Sequence, residues 1–140
     1  MTSIDFYFNA EDRLQVACRL AGKAVKQGSR LLIYAPEPET ASRIDKLLWT
    51  WPAIGFVPHC AVRAPHAAET PVLIASDDET PEGCELLLNL GSECPPHFER
   101  FTRLLEVVSN EDKEAGRTRF RFYRERGYKI TNHDLAQSHE

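Results

Sequence analysis

Three short apolar runs in the middle of the chain constrain its fold more than any other feature. They read LLIYA at residues 31–35, PVLIAS at 71–76 and ELLLNL at 85–90. None alternates between apolar and polar residues. Each is therefore typical of a strand covered on both faces, as parallel strands between two layers of helices are. The segments IDFYF at 4–8 and RLLEVVS at 103–109 predict two further strands.

Helical periodicity fills the intervals between these strands. Apolar residues recur at three- and four-residue steps over residues 11–27, and Gly28 can end that helix in a left-handed conformation. Further helices are predicted near 40–48 and over about 111–126, and the tail at 133–140 is predicted to fray. Alternating strands and helices predict an α/β sandwich with a mostly parallel sheet. At 140 residues and 42% apolar content, the chain suits a single domain.

The sequence carries no signal for export or membrane insertion. The N-terminal segment MTSIDFYFNAEDR lacks a basic stretch followed by an apolar run, and no segment reaches the roughly 18 apolar residues of a membrane span. The four cysteines are scattered without a C-x-x-C pair, which argues against a disulfide scaffold. We therefore expect a cytoplasmic protein with reduced thiols.

The turns that would hold a nucleotide in such a fold lack the residues to do so. The first strand-to-helix turn, FNAEDR, has no glycine, and Glu11 and Asp12 at the helix start would repel a phosphate. Asn9 is the expected cap of that helix. The second turn, APEPET, has two prolines, which lack N–H donors, and two glutamates. These turns argue against binding of a dinucleotide or a nucleoside triphosphate.

Two groups of reactive side chains receive an ordinary structural interpretation. His59 and Cys60 are adjacent and His66 follows, but their spacing is not that of a zinc site. We interpret them as two surface histidines and a half-buried thiol. Asp77 and Asp78 are interpreted as a solvated turn. The sequence therefore predicts no metal, no cofactor and no catalytic site.

A basic segment near the C-terminus, RTRFRFYRERGY at residues 117–128, stands out on this acidic chain. Residues 113–126 hold six basic side chains against two acidic ones, whereas the whole chain has a net charge of −4. Guanidinium groups suit the bidentate capture of carboxylate or phosphate, and neighbouring aromatic rings add flat apolar surface. Such a surface would suit an acidic peptide with a hydrophobic end, or a single strand of nucleic acid.

Helical geometry sorts the residues of this segment into stripes. Residues at i, i+4 and i+7 share a face, with those at i+3 beside them. The first stripe contains Arg117, Phe120, Arg121 and Arg124, and the second contains Arg119, Phe122 and Arg126. We also expect Phe122 or Tyr123 to face the core, while arginine stems cover apolar surface and keep their charged groups in water.

Three stretches of the sequence closely resemble the chi subunit family of the bacterial DNA polymerase III holoenzyme. They are FYF in the first strand, LLIYAPEPETASRIDKLLWTWPAIGFVPH in the middle and RTRFRFYRERGY near the end. The resemblance covers nearly the whole chain and implies a Rossmann-like α/β/α fold without a nucleotide site. It also implies a non-catalytic adaptor in DNA replication. Such an adaptor joins the clamp loader, through the psi subunit, to the acidic C-terminal tail of single-stranded DNA-binding protein (SSB).

The same resemblance implies two binding surfaces. The residues that match the SSB-tail site are Arg117, Phe120 and Arg121 of the last helix and Val108 of the preceding strand. The residues assigned to the psi surface are Trp49 and Phe56, with Leu48 and Pro52 nearby. On physical grounds alone, the large aromatic residues of LWTWPAIGFVP are as consistent with a plug of the core as with an interface anchor.

Three functions remain open from the sequence. The first is the replisome adaptor, which would contact DNA only indirectly and no membrane. The second is a protein that binds single-stranded nucleic acid directly, and the third is an enzyme with a degenerate nucleotide site. The overall acidity and the single short basic patch favour the adaptor, because proteins that coat nucleic acid neutralise many phosphates.

Overall fold

The structure of the protein, a computed structural model, describes residues 1–50, 58–78, 81 and 83–136. The strands are β1 (Ser3–Ala10), β2 (Leu31–Tyr34), β3 (His59–Ala61), β4 (Val72–Ala75), β5 (Leu86–Asn89), β6 (Arg103–Ser109) and β7 (Ile130–Asp134). The helices are α1 (Arg13–Lys26), α2 (Pro38–Thr50) and α3 (Lys113–Glu125), with short 3-10 turns at Ala67–Glu69 and Phe98–Arg100. No helix in the described ranges has both the length and the apolar character needed to cross a membrane.

Seven strands form one sheet in the order β3-β4-β2-β5-β6-β1-β7. Every pairing is parallel. In the middle of the sheet, Ile33 of β2 lies opposite Ile74 of β4 and Leu88 of β5. All residues of β4 and β5 are buried, as their unbroken apolar runs predicted. The predicted α/β fold with a parallel sheet is confirmed.

Successive residues of the central strands point into two separate cores. Ile33 and Leu88 belong to the core that includes residues of α1 and α2. Leu32 and Leu87 belong to the other core, which includes Tyr123 of α3. Helices therefore cover both faces of the sheet, in a Rossmann-like α/β/α arrangement.

The sequence did not predict the two edge strands. β3 has three residues, and β7 reads ITNHD, so neither carries a buried apolar run. β7 extends the sheet beyond β1 and reaches Asp134. The prediction that the chain frays from residue 133 is therefore wrong at its start, because residues 133 and 134 are part of β7. Residues 137–140 lie outside the described ranges.

The residues that flank α1 fix where this helix begins and ends. Asp12, rather than Asn9, caps α1, since its carboxylate accepts hydrogen bonds from the backbone N–H groups of Leu14 and Gln15. Asn9 instead adopts a left-handed φ of 63° and donates from Nδ2 to Oδ1 of Asp134 at 2.8 Å. Gly28 follows α1 with a φ of 75°, the left-handed conformation that the sequence predicted for it.

Candidate functional site

A groove of about 430 Å³ lies between α3 and the adjoining face of β1, β6 and β7. Its large apolar residues come from three elements: Phe6 and Phe8 from β1, Val108 from β6 and Phe120 from α3. A volume in the range of roughly 300–1,000 Å³ is typical of ligand pockets. The groove therefore brings together Val108, Arg117 and Phe120, three of the four residues matched to an SSB-tail site.

The absence of a side chain at Gly116 lets α3 approach β6 at the floor of the groove. A Cβ atom built on Gly116 would lie 2.6 Å from Cγ1 and 2.7 Å from Cγ2 of Val108. Real Cβ contacts are longer than this, so any other residue would push the helix and the strand apart. Gly116 thus sets the distance between the walls, and the sequence analysis did not identify it.

Two cationic side chains stand on the α3 side of the groove. Lys113 and Arg117 both line it, are exposed and lie one helical turn apart. They also occupy the first turns of α3, where the aligned peptide dipoles favour an anion. Arg121, one turn beyond Arg117, is exposed on the same helix but is not part of the groove lining. The structure therefore places Arg117 at the groove and Arg121 beyond it.

The expectation that the arginines of this helix keep their charged groups in water is wrong for Arg119. Its side chain is 1% exposed, and its Nε donates to Oε1 of Glu106 at 2.9 Å. The two Nη atoms donate to the carbonyl of Ser92 at 3.0 Å and to Oδ2 of Asp112 at 3.2 Å. Burial acts to lower the pKa of Arg119, but Glu106 and Asp112 outweigh it and raise the pKa. Arg119 therefore holds α3 onto the sheet rather than facing a ligand.

Glu106 lies at the centre of this buried polar network. Its Oε2 accepts a hydrogen bond from Tyr123 Oη at 2.7 Å and another from Asn89 Nδ2 at 3.0 Å. Burial raises the pKa of Glu106, while Arg119, Tyr123 and Asn89 act in the opposite direction. The sequence predicted that either Phe122 or Tyr123 faces the core. Tyr123 does so, because its side chain is fully buried.

Two arginines at the end of this segment lie over aromatic rings of α3. The Arg124 guanidinium lies 5.8 Å from the centre of the Phe120 ring, and that of Arg126 lies 4.2 Å from the centre of the Phe122 ring. Phe122 is half-buried and meets Phe98 edge to face, with ring centres 6.4 Å apart. Phe122 thus packs on the side of α3 away from the groove.

At the carboxyl ends of β5 and β6, the edge of the sheet where this fold class commonly binds nucleotides, Arg13 contacts the backbone of both strands and of the turn that follows β5. Arg13 donates hydrogen bonds to the carbonyls of Asn89, Leu90, Gly91 and Val107 at distances from 2.8 to 3.2 Å. Burial is the largest influence on Arg13 and lowers its pKa. The nearby N-terminus of α1 is already occupied by the Asp12 carboxylate.

The other predicted surface is described in part. Trp49 is 56% exposed at the end of α2, and its ring meets His59 edge to face at 5.1 Å. Leu48 is fully buried in the core, so its side chain is not part of the exposed surface around Trp49. Phe56 and Pro52 lie outside the described ranges.

The predicted surface position of His59 is wrong. His59 is 8% exposed, and its Nε2 lies 3.0 Å from Oδ1 of Asp45. His66 is exposed and Cys60 is half-buried, as expected. Among residues 1–50, 58–78, 81 and 83–136, no group of three or more His, Cys, Asp or Glu side chains could hold a metal ion.

Sequence reasoning did not assign six residues to the groove: Phe6, Phe8, Asn9, Lys113, Gly116 and Asn132. One signal was available, because a glycine in the middle of a helix is costly unless another element packs closely against it. The aromatic residues of β1 gave no such signal, since the face that α3 covers depends on the tertiary fold.

Residues 1–131 match the family model described as "DNA polymerase III chi subunit, HolC". The chain belongs to the DNA polymerase III chi subunit family. The chi subunit of Pseudomonas aeruginosa is 38% identical over 143 residues, which cover 98% of this chain and 99% of that relative. The chi subunit of Escherichia coli K12 is 29% identical over 119 residues and that of Haemophilus influenzae is 27% identical over 125 residues. The match of the chi family spans every described strand and helix except the end of β7.

Proposed function

We propose that this member of the chi family is a non-catalytic adaptor that joins the psi subunit of the clamp loader to the C-terminal tail of SSB. The observation that carries the proposal is the groove, which gathers Val108, Arg117 and Phe120 from two elements of the fold. Arg121, the fourth residue of the proposed tail site, lies one turn further along α3. Its position suits the acidic residues that precede the end of the tail.

The chemistry of the groove suits an acidic peptide that ends in an apolar residue. Its floor contains the aromatic rings of Phe6, Phe8 and Phe120, which can receive the terminal side chain. Lys113 and Arg117 border the same floor and can bind the terminal carboxylate. One ligand would thus satisfy the apolar and the cationic parts of the site together.

For the psi subunit, we propose the surface around Trp49, with Phe56 and Pro52 in the following segment and Leu48 beneath. Trp49 is one of two large apolar side chains, together with Met1, that are strongly exposed in the described part of the chain. Exposed tryptophans are frequent anchors of protein interfaces. The groove and Trp49 lie on different elements, α3 and the end of α2, so both partners could bind together.

We further propose that the protein has no active site of its own, requires no cofactor and acts in the cytoplasm. The start of α1 supports the first point, because the Asp12 carboxylate already accepts from the backbone N–H groups that would bind a phosphate in this fold class. The association of the chi family with DNA polymerase III supports the location.

Titration with a labelled SSB-tail peptide tests the adaptor function. Fluorescence anisotropy of the purified chain would be measured with the last ten residues of SSB from the same genome. A peptide lacking its last two residues and an oligonucleotide of single-stranded DNA would serve as comparisons. We expect only the full tail to bind well. Added salt should weaken this binding without abolishing it, because the apolar contact persists.

Two results would contradict the adaptor function. Equal binding of the full and truncated peptides would exclude the apolar groove as the site of the terminal residue. Tighter binding of the oligonucleotide than of either peptide would favour the direct nucleic-acid-binding function instead.

A further inference from the structure

The two walls of the groove differ in their hydrogen-bonding chemistry. Lys113 and Arg117 on α3 carry donors only, since neither an ammonium nor a guanidinium group can accept a hydrogen bond. The opposite wall carries the amides of Asn9 and Asn132, which combine a donor with an acceptor. Acceptors on the groove's side chains therefore lie on the strand side.

The two amides are not equally available. Nδ2 of Asn9 donates to Oδ1 of Asp134 at 2.8 Å, which fixes that side chain. Asn132 is exposed, and its amide makes no hydrogen bond with another residue in the described part of the chain. It is thus the groove amide whose oxygen and nitrogen can both bind a ligand.

Neighbouring contacts hold Asn132 toward the groove. His133 follows it in β7 and points to the other face of the sheet, because side chains alternate along a strand. There Nε2 of His133 lies 3.0 Å from Oδ1 of Asp5, and its ring stacks on Tyr7 with centres 4.4 Å apart. These contacts tie the edge strand to β1 at the position next to Asn132.

An extended peptide in this groove would need an acceptor as well as donors. Each of its residues carries a backbone N–H that loses water when it enters an apolar groove, and an unpaired buried N–H is costly. The cationic wall cannot accept that hydrogen bond. A primary amide can accept from a backbone N–H and donate to a backbone carbonyl at once.

We propose that Asn132 binds the backbone of the acidic tail through its side-chain amide, opposite the cationic wall. Lys113 and Arg117 then bind the negatively charged groups of the tail, while Asn132 holds the extended backbone of the tail over the aromatic floor. This assignment rests on the proposed function, because it takes the SSB tail as the occupant of the groove.

The test compares Asn132→Leu with the unaltered protein. Leucine has the same number of side-chain heavy atoms, branched at the same position, and no hydrogen-bonding group, and the exposed site should leave the thermal midpoint unchanged. Thr131→Ala is the matched control, since Thr131 is the preceding exposed residue of β7 and points to the other face. Affinities for the ten-residue SSB-tail peptide would be measured by anisotropy, together with a set of peptides in which an ester replaces one amide at a time.

We expect Asn132→Leu to weaken the tail peptide about three- to tenfold, as the loss of one or two hydrogen bonds would, and Thr131→Ala to have no effect. One ester peptide should bind the unaltered protein more weakly than the parent peptide does, yet show no such loss with Asn132→Leu. Equal affinities of both proteins for the parent peptide, or equal ester effects in both, would overturn the role of Asn132 alone. Failure of the unaltered protein to bind the parent peptide would overturn the adaptor function as well.

Discussion

Nε of Arg119 lies 2.9 Å from Oε1 of Glu106, and the two side chains are 1% and 0% exposed. This pair joins α3 to the middle of β6. Asp112 adds a third and a fourth member to this ionic pair. Its Oδ2 lies 3.2 Å from Nη2 of Arg119 and 3.7 Å from Nε of Arg13. The helix that carries the proposed tail site is thus fixed by a buried ionic network as well as by apolar packing.

Loss of the Arg119 charge should destabilise the fold. Arg119→Met would leave the Glu106 carboxylate buried without its ionic partner, which typically costs about 3–5 kcal/mol. Urea unfolding followed by circular dichroism would measure the free energy of unfolding. Arg117→Met is the control, because Arg117 is exposed on the same helix and its replacement should change stability by less than about 0.5 kcal/mol. Similar stabilities of the two variants would contradict a structural role for Arg119.

Gly116→Ala should also destabilise the protein, despite alanine's higher helix propensity. The gain of about 1 kcal/mol from propensity competes with overpacking against Val108, which typically costs about 1–3 kcal/mol. Tail binding should weaken too, since α3 and β6 would move apart at the groove floor.

A second substitution separates the helix propensity of Gly116→Ala from its overpacking against Val108. Val108→Ala removes both Cγ atoms that the new Cβ would meet. In a double-mutant cycle on unfolding free energies, Val108→Ala should therefore cost less in the Gly116→Ala background than in the original protein. Additive costs would show that the two residues do not press on each other.

Arg117→Ala and Arg121→Ala should each weaken binding of the SSB-tail peptide. A charge-assisted hydrogen bond contributes roughly 1.5–3 kcal/mol, and exposure to salt reduces this, so we expect a loss of about tenfold or more. Anisotropy titrations would measure the effect, with binding of the psi subunit unchanged. Arg43→Ala, which removes an exposed charge from α2, should have no effect on either partner. A tail affinity equally sensitive to all three substitutions would indicate general electrostatic attraction instead of a defined site.

Trp49→Ala should abolish most of the affinity for the psi subunit without unfolding the protein. An exposed aromatic anchor typically contributes about 2 kcal/mol or more to binding, whereas its removal from the surface costs the fold little. Phe56→Ala should behave in the same way if Phe56 belongs to that interface. Isothermal titration calorimetry with psi, together with thermal unfolding of the variant alone, would separate the two effects. Unfolding of either variant without psi would favour a core plug.

The buried thiol of Cys18 should make the protein less stable at alkaline pH. Burial is the main cause that raises its pKa to about 12 from an ordinary value of 9.0. Because the folded pKa is raised, the stability from the protonated thiol is complete below about pH 9 and is lost as the pH rises toward 12. Urea unfolding at several pH values between 8 and 11 should show a smaller loss of stability for Cys18→Ala than for the original protein. Parallel pH profiles would contradict this.

The sequence predicted the core of the fold because its central strands are unbroken apolar runs. Such runs need two covering layers, and the intervening 3.6-residue periodicity supplies the helices. It did not predict β3 and β7, because short edge strands with polar residues lack that pattern. Their pairing with β4 and β1 depends on the backbone groups that those strands present.

For the candidate site, the sequence by itself determined which helix carries the arginines and, through the resemblance to the chi family, which of them to match with a tail site. Only the tertiary structure decided that Arg117 borders a groove while Arg119, two positions later, is buried against Glu106. Two residues along a helix differ by roughly 200° in direction, so spacing defines relative faces. It cannot say which face meets the sheet, because that depends on residues of β1, β6 and β7 far away in the chain. Packing of α3 against those strands makes the choice, since it must satisfy the Glu106 carboxylate and bury Tyr123 at the same time.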